Sequence, residues 1–262
     1  MHIQEKQIVI HELLTTYYFV EGNGPALVFL HGWGSNSTFW FMSTEQLVQA
    51  GYSLYFLDLP GFGKTEMPKE SFTTQKYADF LTSFVGKLGL KDFVLVGHSF
   101  GGKVAVKMGS GGVQNELKGL VLVDASGLPH ASIMTKLKSK AAHALKPLFT
   151  PRFMQRTRNK LLRLVGSDDY VAQPQLRQTF INVIQEHVTF DLPNIQTPTL
   201  IVWGSEDDNE YSPPKDAHIF NEQIKNSELC MIKGAKHYSF MDKPEEFQKA
   251  VLEFISRVYG KN

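Results

Sequence analysis

The chain is short of several things that would mark particular protein classes. It has one cysteine, Cys230, in 262 residues, so no intrachain disulfide can form and no second thiol is available for a metal site. A lone thiol of this kind is expected to be a small buried strand residue in a reducing compartment. No apolar run reaches the roughly 18 residues needed to span a bilayer. The opening MHIQEKQIVIHELL has no basic segment followed by an apolar one and a small-residue cleavage site, so the reading is cytoplasmic. Net charge is also scarce, at +1, which removes any global electrostatic case for nucleic acid. There is no internal repeat, no low-complexity tract, and no His, Cys or carboxylate cluster with metal-ligand spacing. What remains is an ordinary globular composition, 42% hydrophobic and 20% charged, enough for one large core with room for an inserted subdomain.

Short β-branched or aliphatic runs alternate with stretches of helical period. Strands are predicted near 5–10, 13–20, 26–30, 53–57, 93–97, 119–123, 198–203 and 228–232, and helices near 73–88, 100–109, 213–223 and 243–258. The later runs are continuously apolar, as parallel strands covered on both faces are. The alternation predicts an α/β sheet, with the first two strands, joined too closely for a helical crossover, antiparallel at one edge. After VLVDASG the next strand is about 70 residues away, too far for a simple connection. This divides the chain into a core, 1–126 and 191–262, and a helical lid inserted over 127–190.

The stretch VLVGHSFGG, residues 94–102, ends an apolar strand with a polar Ser99 between glycines. Gly-x-Ser-x-Gly between a strand and a helix permits a turn so sharp that the serine is strained and its hydroxyl exposed above the sheet. The helix that follows begins with Phe100, whose backbone N–H would face a developing oxyanion. A serine hydroxyl needs a base that is itself oriented by a carboxylate. His237 in GAKHYSF and Asp207 in VWGSEDDNE both follow late strands, placing them at the sheet edge where open α/β sheets build their sites. In LVFLHGWGSN, the Trp33 backbone N–H is placed to be a second oxyanion donor.

These segments together, HGWG at 31–34, DLPGFGKT at 58–65, GHSFGG at 97–102, LIVWGSED at 200–207 and GAKHYSFMDKPEEF at 234–247, resemble the α/β-hydrolase superfamily over nearly the whole core. The resemblance implies an eight-stranded, mostly parallel sheet, a nucleophile elbow, a lid and Ser-Asp-His machinery. It also implies no cofactor, and a serine at position 99 points away from the branches that use an aspartate nucleophile. The expected activity is hydrolysis of a small-molecule carboxylic ester through an acyl-enzyme, with Ser99, His237 and Asp207 catalytic and Trp33 and Phe100 forming the oxyanion hole. The same residues could serve a carbon–carbon bond hydrolase, a cofactor-free perhydrolase or a receptor-like member that mainly binds its ligand.

Other residues compete for attention. GFGKT ends like a phosphate-binding loop, but the first glycine such a loop requires is replaced by Asp58, which argues against nucleotide binding. Asp124, after the sixth strand, is an alternative triad acid that otherwise ties down the lid's entrance; Asp208 is a weaker one. His31 is expected to order its loop and His98 to brace the elbow. Asp168 and Asp169 read as a helix N-terminus. Between Lys136 and Arg163 lie nine lysines or arginines and no acid. Ile133, Leu137, Ala141, Ala144, Leu145 and Leu148 recur there at helical spacing. That basic face is either solvated or a dock for an anionic substrate, an acyl carrier protein or an acidic membrane surface.

Overall fold

The computed structural model describes residues 2–111, 116–130 and 174–260. Strands β1 (Gln4–Ile10) and β2 (Leu13–Val20) form a hairpin whose two turn residues, His11 and Glu12, both have positive φ, 47° and 65°. That twist matches the twist of the strands it joins. Strands β3 (Ala26–Leu30), β4 (Ser53–Leu57), β5 (Phe93–His98), β6 (Leu117–Val123), β7 (Thr199–Gly204) and β8 (Ser227–Ile232) follow. They complete one eight-stranded sheet in the order β1-β2-β4-β3-β5-β6-β7-β8. β2 pairs antiparallel with both neighbours and every other pairing is parallel. The fold is therefore the α/β-hydrolase arrangement that the sequence motifs imply.

The continuously apolar runs behave as expected in the middle of the sheet. Every residue of β5 and β7 is buried, because helices cover both faces. Helices α1 (Glu45–Gln49), α2 (Thr74–Lys87), α3 (Phe100–Gly109), α4 (Arg177–Gln185), α5 (Pro214–Gln223), α6 (Ser239–Asp242) and α7 (Pro244–Val258) are described. Thr73 starts α2 by accepting the Lys76 N–H on its side chain, and Pro244 opens α7 where its missing N–H costs nothing. The side chains divide into two clusters, one on each face of the sheet. Cys230 lies in β8 as expected but is only partly buried, since β8 is the last strand of the sheet and lacks a neighbour on one side.

Of the 127–190 interval, residues 127–130 and 174–190 are described, and α4 lies in it. The basic run from Lys136 to Arg163, together with Asp168 and Asp169, falls outside the described residues. Among the described residues no helix is long and apolar enough to cross a membrane.

Parallel strands bring their carboxyl ends to one edge. The loops after β3, β5, β6, β7 and β8 therefore converge there. Trp40, in a short 3-10 helix over Ser37–Ser43, is fully buried and stacks on Phe240 of α6 with ring centroids 4.1 Å apart. It also reaches Phe29 and Phe247. This packing joins the segment after β3 to the segment after β8. Trp40→Ala should lower the unfolding free energy by about 3–5 kcal/mol, the usual result of emptying a large aromatic site; urea denaturation of the purified variant measures it.

Candidate active site

The chain leaves β5 at His98 and enters α3 at Phe100, so Ser99 alone must reverse its direction. It does so at φ 51° and ψ −113°, a conformation that non-glycine residues hold only when their surroundings enforce it. The enforcement is visible in its neighbours. A Cβ at Gly97 would lie 2.5 Å from the Gly101 carbonyl oxygen, and one at Gly101 would lie 2.6 Å from that of Leu30. Only glycine lets strand, turn and helix approach so closely. The Ser99 N–H donates to Val123 O at 3.0 Å, and its carbonyl accepts the Ser126 N–H at 3.1 Å. The turn is thus clamped to the end of β6.

Three of the residues singled out by the sequence meet above this turn. His237 Nε2 lies 3.1 Å from Ser99 Oγ, and His237 Nδ1 lies 3.0 Å from Asp207 Oδ2. With the Nδ1 proton directed at the carboxylate, Nε2 is left with a lone pair facing the serine hydroxyl, the tautomer a general base requires. Asp207 is buried and its other oxygen accepts the Asn209 N–H at 2.9 Å. Asp208 lines the adjoining cleft without reaching the imidazole. Sequence reasoning missed Ser212, whose hydroxyl donates to Asp207 Oδ2 at 3.2 Å and lies 3.0 Å from His237 Nδ1. Nothing in the pattern YSPPK marks it; the contact exists because the chain after Asp207 doubles back, with Trp203 Nε1 donating to Ser212 O at 2.9 Å.

Trp33 and Phe100 flank Ser99 in the cleft wall. Neither backbone N–H donates to an acceptor among the described residues. The loop carrying Trp33 is ordered by His31, as expected. His31 Nδ1–H donates to Gly32 O at 2.8 Å while Nε2 accepts the Leu59 N–H at 3.0 Å, and burial holds its pKa below the ordinary value. Asp58 is structural too. Its two oxygens accept the N–H groups of Ser37 and Lys64, each at 2.9 Å, and a Cβ at Gly63 would strike it at 2.1 Å.

One expectation is extended and another corrected. His98 braces the histidine loop as well as the elbow: its Nε2–H donates to the His237 carbonyl at 2.8 Å. Burial and the neighbouring His237 keep it neutral, with a pKa well below the ordinary value. Among the described residues, Asp124 makes its side-chain hydrogen bonds away from the lid's entrance. Oδ1 accepts the Gly204 N–H at 2.8 Å, while Oδ2 accepts the Ser239 N–H at 3.2 Å and hydroxyl at 2.5 Å. It therefore ties the acid-bearing loop to the histidine-bearing one from below. Chain following β6 is held instead by His130, whose Nε2 lies 2.7 Å from Asp216 Oδ2.

The cleft over Ser99 has a volume of about 510 Å³, walled by Trp33, Phe180, Val183, Ile184 and Tyr238 among others. That is room for a small organic substrate. Lys103, one helical turn beyond Ser99, also lines it; the sequence conceals this lysine inside the apolar helix FGGKVAVKMG. Among the described residues no group of three potential metal ligands is present.

Residues 27–250 match the family described as the alpha/beta hydrolase family. The chain belongs to it. A 2-hydroxy-6-oxononadienedioate/2-hydroxy-6-oxononatrienedioate hydrolase of a Pseudomonas species is 24% identical, with 90% of each chain covered. The monoacylglycerol lipase ABHD6 of Bos taurus is 24% identical over 91% of this chain and 77% of that one. In structure, an esterase from Exiguobacterium antarcticum superposes with a TM-score of 0.75 at 21% identity, covering 97% of this chain and 100% of its own.

Asp124 allows a test of the network beneath the site of this α/β hydrolase. Burial raises its pKa to about 7, against the lowering effect of its hydrogen bonds to Ser239 and Gly204. The folded state therefore holds the Asp124 proton more tightly than the unfolded state, which releases it near the ordinary carboxylate value of about 3.9. Its contribution to stability is greatest below that value and is lost as pH rises through about 7. Asp124→Asn cannot titrate. The stability of wild type relative to this variant should fall between pH 5 and pH 8, as read by urea denaturation at each pH.

Proposed function

We propose that this α/β hydrolase cleaves carboxylic esters of small molecules through a covalent acyl-enzyme on Ser99. The observation that carries the reading is the unbroken hydrogen-bond chain from Ser99 Oγ through His237 to Asp207 at the floor of the cleft. His237 Nε2 takes the hydroxyl proton as Ser99 Oγ bonds to the acyl carbon, and Asp207 stabilises the imidazolium that forms. The N–H groups of Trp33 and Phe100 hold the oxyanion. His237 then returns its proton to the departing alkoxide, leaving the acyl group on Ser99. A water attacks that ester, His237 again removing the proton, and the carboxylic acid leaves with the serine regenerated. Ser212 is a positioning residue here, holding the Asp207 carboxylate against the imidazole.

A second reading, carbon–carbon bond hydrolysis, is favoured by the similarity to the Pseudomonas hydrolase, and the same residues would serve it. The division into a core and a lid over 127–190 belongs to the proposal, as does a reducing, cytoplasmic setting suited to one thiol.

A fluorophosphonate should label Ser99, located by mass spectrometry. Ser99→Ala or His237→Ala should each lower turnover by roughly a million-fold, as the loss of a cooperating nucleophile or base does. Asp207→Asn should lower it by about ten-thousand-fold, through the wrong imidazole tautomer, and Asp124→Asn by far less. A product-resolved panel of simple esters and vinylogous diketones separates the two readings: turnover confined to the diketones would replace the first with the second.

A further inference from the structure

Lysine is seldom fully buried unless its charge is paired, yet Lys103 is only 3% exposed. Its ammonium donates to the carbonyls of Val183 and Glu186, the last turn and the C-terminal cap of α4, where the helix leaves carbonyls unpaired and its dipole is negative. Those are partial charges, and they occupy two of three N–H donors. Lys107, one turn further along α3, has a full counter-charge in Asp191 at 2.7 Å. For Lys103 no carboxylate among the described residues lies within 4.0 Å. The Glu186 carboxylate is engaged elsewhere, accepting the Thr74 N–H at 2.7 Å. Among the described residues Lys103 is thus a buried cation in no ion pair, since the Glu186 charge favours its protonated form only from a distance, and it forms part of the cleft wall, four residues from Ser99.

A buried charge with no counter-ion is costly, and a cleft that carries one favours a ligand that supplies the opposite sign. We infer that Lys103 is a specificity-determining residue that reads a carboxylate on the substrate, so that this hydrolase acts on anionic esters in preference to neutral ones. The inference rests on the ester-hydrolase reading and adds the substrate class to it. Lys103 recognises the substrate from the side of α3, with its third N–H donor completing a charge-assisted hydrogen bond. Among the described residues the charged or titratable groups around it are Glu186 and His187 after α4, Lys107 on α3, and Asp208, Lys236 and Asp242 elsewhere in the cleft lining.

Two matched pairs of esters test this. One pair is 4-nitrophenyl hexanoate and mono-4-nitrophenyl adipate, with the carboxylate on the acyl side. The other is phenyl hexanoate and 4-carboxyphenyl hexanoate, with it on the leaving group. In at least one pair kcat/KM should favour the anion by about 10-fold or more, carried by KM, as a charge-assisted hydrogen bond gives. Lys103→Met should bring that ratio to about one, and Lys103→Arg should retain part of it. Taking the ratio removes whatever common loss follows from uncapping α4. In the wild type the ratio should also fall as pH rises through about 8, where burial has brought the Lys103 pKa. No preference in either pair, or a preference that survives Lys103→Met, overturns the inference and leaves Lys103 as a helix cap. Absence of turnover with all four esters would instead defeat the ester-hydrolase reading. Fluorescence titration then decides the role of Lys103: hexanoate bound more tightly than hexanamide by wild type, but not by Lys103→Met, supports it, and equal binding overturns it.

Discussion

The reversal of the chain at Ser99 is the constraint on which the rest of the site depends. A positive φ of 51° at a serine is held because β5, β6 and α3 are already locked around it, with Gly97 and Gly101 giving the clearance. The turn lifts a hydroxyl out of a fully buried strand and aims it away from the sheet. It also starts helix α3 directly behind that hydroxyl, at Phe100. Geometry that would be lost in a flexible loop is here a consequence of sheet packing.

The imidazole of His237 stands opposite this strained serine, and it is fixed by buried polar groups rather than by its own loop. His98 holds the His237 carbonyl. Asp124 holds Gly204 and Ser239, the backbone just before Asp207 and just after His237. Ser212 holds the Asp207 carboxylate. On the other side of the cleft, His31 and Asp58 order the loop that carries Trp33. Each of these groups is buried and paired, so displacing any one would strand a polar partner in a low-dielectric interior. That interdependence is what allows five separate loops to act as one surface.

Much of this could be read in the sequence because local patterns have local causes. Continuous apolar runs marked the parallel strands, and all eight strands lie within a residue or two of their expected positions. The glycines around Ser99 announced a turn that no other residues would permit. His237 and Asp207 were recognisable because a residue following a parallel strand must arrive at the active edge. Short helices escaped notice: α1 and α6, of five and four residues, carry too few turns for a period to show and are stabilised by packing against Trp40 and α7.

The sequence by itself determined the α/β alternation, through the period of the chain, and the sharp turn at Ser99, through the steric demands of glycine, while the eight-stranded sheet and the candidate Ser-Asp-His set came from its resemblance to the α/β-hydrolase superfamily. Only the tertiary structure decided what the intervening polar residues do. The spacing in GSED favoured Asp207 over Asp124 as the partner of the histidine, and the structure gives each its contacts, Asp207 with the imidazole and Asp124 with the Gly204 and Ser239 N–H groups. The structure also brought Ser212 to Asp207 and set Lys103, concealed in the sequence within an apolar helix, into the cleft wall as a buried cation. Hydrogen bonds and charge pairs of this kind join residues distant in the chain, with separations of 80 residues for Lys103 and Val183 and 115 for Asp124 and Ser239. Their partners are fixed by how the sheet is wound, which no short stretch of sequence encodes.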